Sequence, residues 1–115
     1  MSPKTCLKIT PTCIYEIKNY KEDPYYKSQT YGFSCSCLNV ASYWEKRHYD
    51  LVMIVKDRYD EDDEFNPIAT YIYNNLKGLH FDNIYGTVYL VNEQNFRVVN
   101  FNKTDLKYIM KQLNK

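Results

Sequence analysis

Leu51-Val52-Met53-Ile54-Val55 is an unbroken apolar run, flanked by Tyr49-Asp50 before it and Lys56-Asp57-Arg58 after it. Three of the five residues are β-branched. A run of this kind is expected to be a strand covered on both faces, hence central in a sheet, rather than a short buried helix. The rest of the chain can then be read by asking what covers those two faces.

Working outward toward the N-terminus, residues 39–48 are expected to form a short helix or wide turn leading into the central strand. Residues 31–38 read as a strand whose alternation puts Tyr31, Phe33, Cys35 and Cys37 on one apolar face. Residues 18–30 are polar and aperiodic around Asp23-Pro24, a surface loop long enough to be a place to look for function. Before it, residues 5–9 and 12–18 read as an edge hairpin around Pro11, with Cys13, Tyr15 and Ile17 on one side of its second strand.

Toward the C-terminus, residues 57–64 hold six acids and one arginine. They are expected to be solvated, because carboxylates so close together repel one another. Asn66-Pro67 is a helix start, since asparagine is a favoured N-cap and proline a favoured first helical residue. Ile68, Tyr71, Ile72 and Leu76 recur at helical spacing and Gly78 ends the helix, which spans about 67–77. Residues 84–91 and 96–101 read as a hairpin around a turn at 92–95. A last helix, about 103–113, opens near Asn102 with Asp105 in its first turn. Its apolar stripe is Leu106, Ile109, Met110 and Leu113, and Lys103, Lys107 and Lys111 make a solvated basic stripe. The expected architecture is α+β: a single small domain, a mostly antiparallel sheet with central strand 51–55, and two helices packed on one face.

A chain of 115 residues, 44% of them hydrophobic, suits one domain able to bury a core. The longest apolar run is far shorter than the ~20 residues that cross a bilayer, and residues 1–5 lack the apolar segment of a signal peptide, so an intracellular, cytoplasmic protein with no membrane contact is expected. The usage of thirteen tyrosines with few arginines is that of an AT-rich coding sequence, as in some viruses and phages, for which the compartment would be the host cytoplasm. The net charge of +1 conceals an asymmetry: outside 57–64 the chain has fourteen basic and eight acidic residues, a balance of +6. Such a balance allows a bipolar surface.

Four cysteines, Cys6, Cys13, Cys35 and Cys37, fall in the first third. They are expected to be reduced, mostly buried and metal-free, since the C-x-C spacing does not converge two sulfurs on one zinc. A cysteine nucleophile would need His48 or His80 as its base, and neither has a flanking pattern that suggests it. The acidic run lacks the glycine and terminal glutamate of a calcium loop, and no phosphate-binding glycine loop is present. No cofactor and no metal is expected, and no catalytic residue is assigned.

Three function classes remain. Tyrosines exceed what a small core uses, and tyrosine carries interface energy. The favoured expectation is therefore a non-enzymatic interaction or regulatory protein with a protein partner, homodimerisation being one form of that contact. Its partner-binding residues are Tyr59, Asp60, Glu61, Asp62, Asp63 and Glu64, with Tyr25 and Tyr26. The alternative is a nucleic-acid binder using Tyr43, Trp44, Lys46 and Arg47, whose rings and cations suit stacking and phosphate contact. A small enzyme with an unrecognised site is the second alternative.

Overall fold

A computed structural model describes residues 4–20, 30–42, 49–78, 83–95, 97–101 and 103–113. Six strands, β1 (Lys4–Ile9), β2 (Ile14–Tyr20), β3 (Cys35–Ala41), β4 (Asp50–Lys56), β5 (Val88–Gln94) and β6 (Arg97–Val99), form one antiparallel sheet. Its order is β2-β1-β5-β4-β3, with β6 also paired to β5. Two helices, α1 (Pro67–Lys77) and α2 (Lys103–Leu113), complete an α+β architecture.

The apolar run is β4, an inner strand with Leu51 to Val55 all buried. Successive strand residues point to opposite faces, and the packing divides accordingly. Leu51, Met53 and Val55 join Leu7, Ile9, Val88 and Leu90 beneath the helix residues Ala69, Ile72 and Ile109. Val52 and Ile54 face the other way, into a smaller cluster with Cys6, Val91 and Tyr31. On that second face the rings of Tyr31 and Tyr89 are 5.0 Å apart and Phe33 sits 6.2 Å from Tyr89. Both helices therefore pack on one face, and aromatic rings from the segment before β3 cover the other.

α1 starts where the Asn-Pro dipeptide puts it: Asn66 Oδ1 accepts from the Ala69 N–H at 2.9 Å, and Pro67 follows as the first helical residue. It ends at Gly78, whose φ of +75° is the left-handed conformation that ends many helices. The stripe differs in one member, since Tyr71 is exposed while Ala69 and Thr70 are buried beside Ile72. Thr70 faces inward because its hydroxyl accepts from the Ile84 N–H at 2.8 Å. In α2, Leu106 and Ile109 pack into the core, Lys103, Lys107 and Lys111 are exposed, and Met110 is 44% exposed instead of joining the stripe. Asn102 lies outside the described residues.

Other boundaries moved. The strand expected at 31–38 is β3, three to four residues later, because Gly32 at φ +81° interrupts an extended backbone. Tyr31, Phe33 and Cys35 do share one cluster, but Cys37 is exposed on edge strand β3, contrary to its expected place on the apolar face, and Cys13 is exposed in the Thr10–Cys13 turn. Only Cys6 is fully buried, which corrects the expectation of mostly buried thiols. The hairpin turn expected at 92–95 falls at Asn95, at φ +52°, and Asn92 is fully buried within β5. Its amide donates to Asp105 Oδ2 at 3.3 Å, so a tertiary partner keeps a turn-forming residue inside a strand. Among the described residues, no helix is long and apolar enough to cross a membrane.

Candidate functional site

The loop that leaves β4 at Lys56 carries the acidic run, and its carboxylates divide into two groups. Lys56 Nζ donates to Asp63 Oδ1 at 2.8 Å and to Oδ2 at 3.0 Å, with Asp60 Oδ2 at 3.5 Å. The Lys56 and Asp63 side chains are only 20% and 13% exposed. The Asp60 N–H donates to Asp63 Oδ2 at 2.7 Å, and the Asp63 N–H returns a bond to the Asp60 carbonyl at 3.0 Å. Asp57 accepts from the Ser34 hydroxyl at 2.7 Å and from the Ser36 hydroxyl, tying the loop to β3. Asp57, Asp63 and the Asp60 backbone thus tie the loop down, yet Asp57 and Asp60 are exposed as expected of a solvated run; the expectation is corrected only at Asp63, which its charge-assisted hydrogen bond to Lys56 holds mostly out of water. Glu61, Asp62 and Glu64 remain exposed.

These contacts set the ionisation of the loop. The Lys56 ammonium, then the Asp60 N–H, hold the Asp63 carboxyl below its usual range, and the Ser36 and Ser34 hydroxyls do the same for Asp57. Lys56 is raised by its hydrogen bond to Asp63. A carboxylate with a depressed folded pKa adds stability that is complete above its unfolded value, about 3.9, and is lost as pH falls through the folded one. For Lys56, raised on folding, the contribution is complete below about 10.4 and is lost as pH climbs through the folded value. The loop is therefore expected to hold its shape between those limits and to loosen in acid. A ¹³C NMR titration of the Asp57 and Asp63 carboxyl carbons should show both midpoints below about 3.9. A midpoint at or above that value for Asp63 would mean that the Lys56 contact does not form in solution.

Beside this loop, residues 64–66 pair with 84–86. Asn66 N–H donates to the Ile84 carbonyl at 2.8 Å, Gly86 N–H donates to the Glu64 carbonyl at 2.7 Å, and Phe65 and Tyr85 form the antiparallel bridge between them. This is the non-hydrogen-bonded kind of pair, which brings facing side chains closest. The Phe65 and Tyr85 rings accordingly meet edge-on with centroids 5.8 Å apart, and Tyr59 packs on Tyr85 at 5.3 Å. Tyr59 is nevertheless 45% exposed and Phe65 43%. Gly86 permits the close approach: its φ is +76°, and a Cβ there would lie 3.0 Å from Asp63 Oδ1, an atom already held by Lys56. Two rings of this patch, Tyr59 and Phe65, and the exposed carboxylates of Glu61, Asp62 and Glu64 therefore come from one stretch, 59–65, and Tyr85 joins them across the bridge.

An open cleft of about 400 Å³ lies nearby, lined by Phe33, Ser34, Lys56, Asp57, Arg58 and Asp60 among others. Its carboxylates are engaged by the serines and Lys56. Among the described residues, no group of three or more His, Cys, Asp or Glu side chains is placed to hold a metal ion. His48 and His80 lie outside the described residues.

Of the residues singled out from sequence, Tyr59, Asp60, Glu61, Asp62, Asp63 and Glu64 lie together on this loop. Tyr25, Tyr26, Tyr43, Trp44, Lys46 and Arg47 lie outside the described residues. Sequence reasoning missed Phe65 and Tyr85, which are twenty residues apart and meet only through the bridge. It also missed Lys56, Ser34 and Ser36 as partners of the acidic run. The available signal was Phe65 itself, an apolar ring left between Glu64 and the N-cap Asn66. In comparisons with known proteins the chain matches no protein-family model, no curated protein and no solved structure.

Proposed function

We propose that this chain is a small, non-enzymatic interaction or regulatory protein, acting inside the cell, that takes a basic segment of a protein partner on the 59–65 surface. The observation that carries this reading is the ring cluster of Tyr59, Tyr85 and Phe65, with the exposed Glu61, Asp62 and Glu64 lying between two of those rings in the chain. Two of the three rings keep more than two-fifths of their area in water although they touch one another. Grouped exposed aromatics beside a charged margin have the chemistry of a binding surface, in which buried rings supply affinity and the rim charges speed encounter. Lysine or arginine side chains can satisfy both parts, since their cations are attracted to ring faces and to carboxylates.

A lysine- and arginine-rich peptide is the direct probe, with an acidic peptide of equal length as control. Added to ¹⁵N-labelled protein, the basic peptide should shift the amides of Tyr59, Phe65 and Tyr85, and the acidic one should not. Tyr59→Ala and Phe65→Ala should each speed dissociation by about 5–30-fold, equivalent to 1–2 kcal/mol. Glu61→Gln with Asp62→Asn and Glu64→Gln should instead slow association and flatten its salt dependence. Asp63 is left intact because it holds the loop through Lys56. If ring removal and charge neutralisation both leave the kinetics unchanged, this surface is not the binding site.

A further inference from the structure

The chain carries, on a different element, a surface that complements this patch. α2 buries Asp105 and Ile109 and packs Leu106 against the core, so its outer side presents Lys103, Lys107 and Lys111 one turn apart, all exposed. Met110, three residues after Lys107 and next to Lys111, is 44% exposed on that helix. Residues three and four apart on a helix are neighbours, so Met110 borders Lys107 on the helix surface. An unbranched, polarisable thioether packs well on aromatic rings, and lysine is drawn both to ring faces and to carboxylates. The 59–65 surface offers those groups: two exposed rings, with Glu61, Asp62 and Glu64 beside them.

We propose that the basic segment taken by the 59–65 surface is α2 of a second copy of this chain, so that the protein self-associates by a loop-to-helix contact. This rests on the reading of 59–65 as an interaction surface. Charge complementarity selects the occupant. Residues 57–64 have a formal balance of −5, six acids against Arg58, and the rest of the chain has +6, leaving a total of +1 that opposes association very little. The contact joins two different patches, so it closes into a symmetric dimer when each copy docks on the other, and otherwise propagates head to tail.

Sedimentation equilibrium tests this on the full chain. In about 0.01 M salt, where charges act over about 30 Å, the weight-average mass should rise with concentration from 13.8 kDa toward at least twice that value. In about 1 M salt it should return to the monomer. Lys107→Glu with Lys111→Glu should abolish association, and so should Glu61→Lys with Asp62→Lys. All four substitutions in one chain restore complementarity with the net charge still +1, and should restore association. Far-UV circular dichroism of each variant should match the parent, because all four side chains are exposed. The proposal is overturned by a parent that stays monomeric in low salt, by association that survives Lys107→Glu with Lys111→Glu, or by a folded fourfold variant that remains monomeric. A monomeric parent that still binds the basic peptide at Tyr59 and Phe65 removes self-association alone. A parent that does neither removes the 59–65 reading as well.

Discussion

Asn66→Ala should lower the free energy of unfolding by about 3–5 kcal/mol, well beyond the ~1 kcal/mol typical of a lost helix cap. The side chain does three things at once while fully buried. Its Oδ1 caps α1 by accepting from the Ala69 N–H at 2.9 Å. Its Nδ2 donates to the Ile9 carbonyl at 3.0 Å and to the Gly86 carbonyl at 2.8 Å, joining β1 and the turn before β5 to the start of the helix. Removing it strips a cap and leaves two buried carbonyls each short of a donor, at about 1–3 kcal/mol apiece. Two further substitutions separate these contributions. Asn66→Ser retains a capping oxygen and removes the amide donors, so it should recover only about 1 kcal/mol of the loss. Asn66→Asp also retains the acceptor but sets a carboxylate against two carbonyl oxygens, and should be at least as damaging as alanine. Urea unfolding at neutral pH is the measurement. Nearly full recovery in Asn66→Ser would mean that the cap dominates and the two amide bonds carry little.

Met53→Ala and Ile54→Ala should each cost about 2–5 kcal/mol, although the two side chains point to opposite sides of β4. In a sheet with one face on a core and the other in water, neighbouring strand residues differ sharply: truncation is expensive on one and mild on the other. Here both are completely buried, Met53 under the helices and Ile54 in the cluster roofed by Tyr31. The aromatic side is the smaller of the two, and Tyr31 and Phe33 can settle partly into a gap left by Ile54→Ala. Its cost should therefore fall in the lower half of the range. Guanidinium unfolding of the two variants, with Tyr15→Ala as an exposed control on edge strand β2, reads this directly. An Ile54→Ala cost below about 1 kcal/mol would show that the second face is open to water in solution.

The aromatic roof and the multiply bonded Asn66 also bear on the candidate surface. The β4 end, the start of α1 and the turn at Gly86 converge there, so Phe65 and Tyr85 are held by two backbone hydrogen bonds rather than by a free loop. Rings fixed in this way lose little conformational freedom when a partner covers them, which favours binding. The same construction makes Gly86 and Asp63 poor choices for probing function, because changing either disturbs the loop that presents the rings.

The elements legible before any fold was known are those whose signals are local. The apolar run 51–55 has no polar residue to face water, so burial on both sides was legible without any neighbour being known. Asn66, Pro67 and Gly78 act on backbone groups within four residues of themselves, and the α1 boundaries followed from them. The helical period of Leu106 and Ile109 likewise placed α2. Tertiary structure decided everything that depends on a distant partner. Asn92 is a turn former by local preference, but Asp105 thirteen residues away holds it in the middle of β5. The acidic run read as mutual repulsion until Lys56, Ser34 and Ser36 were brought to three of its carboxylates. Phe65 and Tyr85 carry no mark in the sequence of belonging together; a single antiparallel bridge across twenty residues makes them one patch. The physical reason is the same in each case: propensity and periodicity are short-range properties of the backbone, whereas desolvation and charge pairing depend on which segments the sheet order brings side by side.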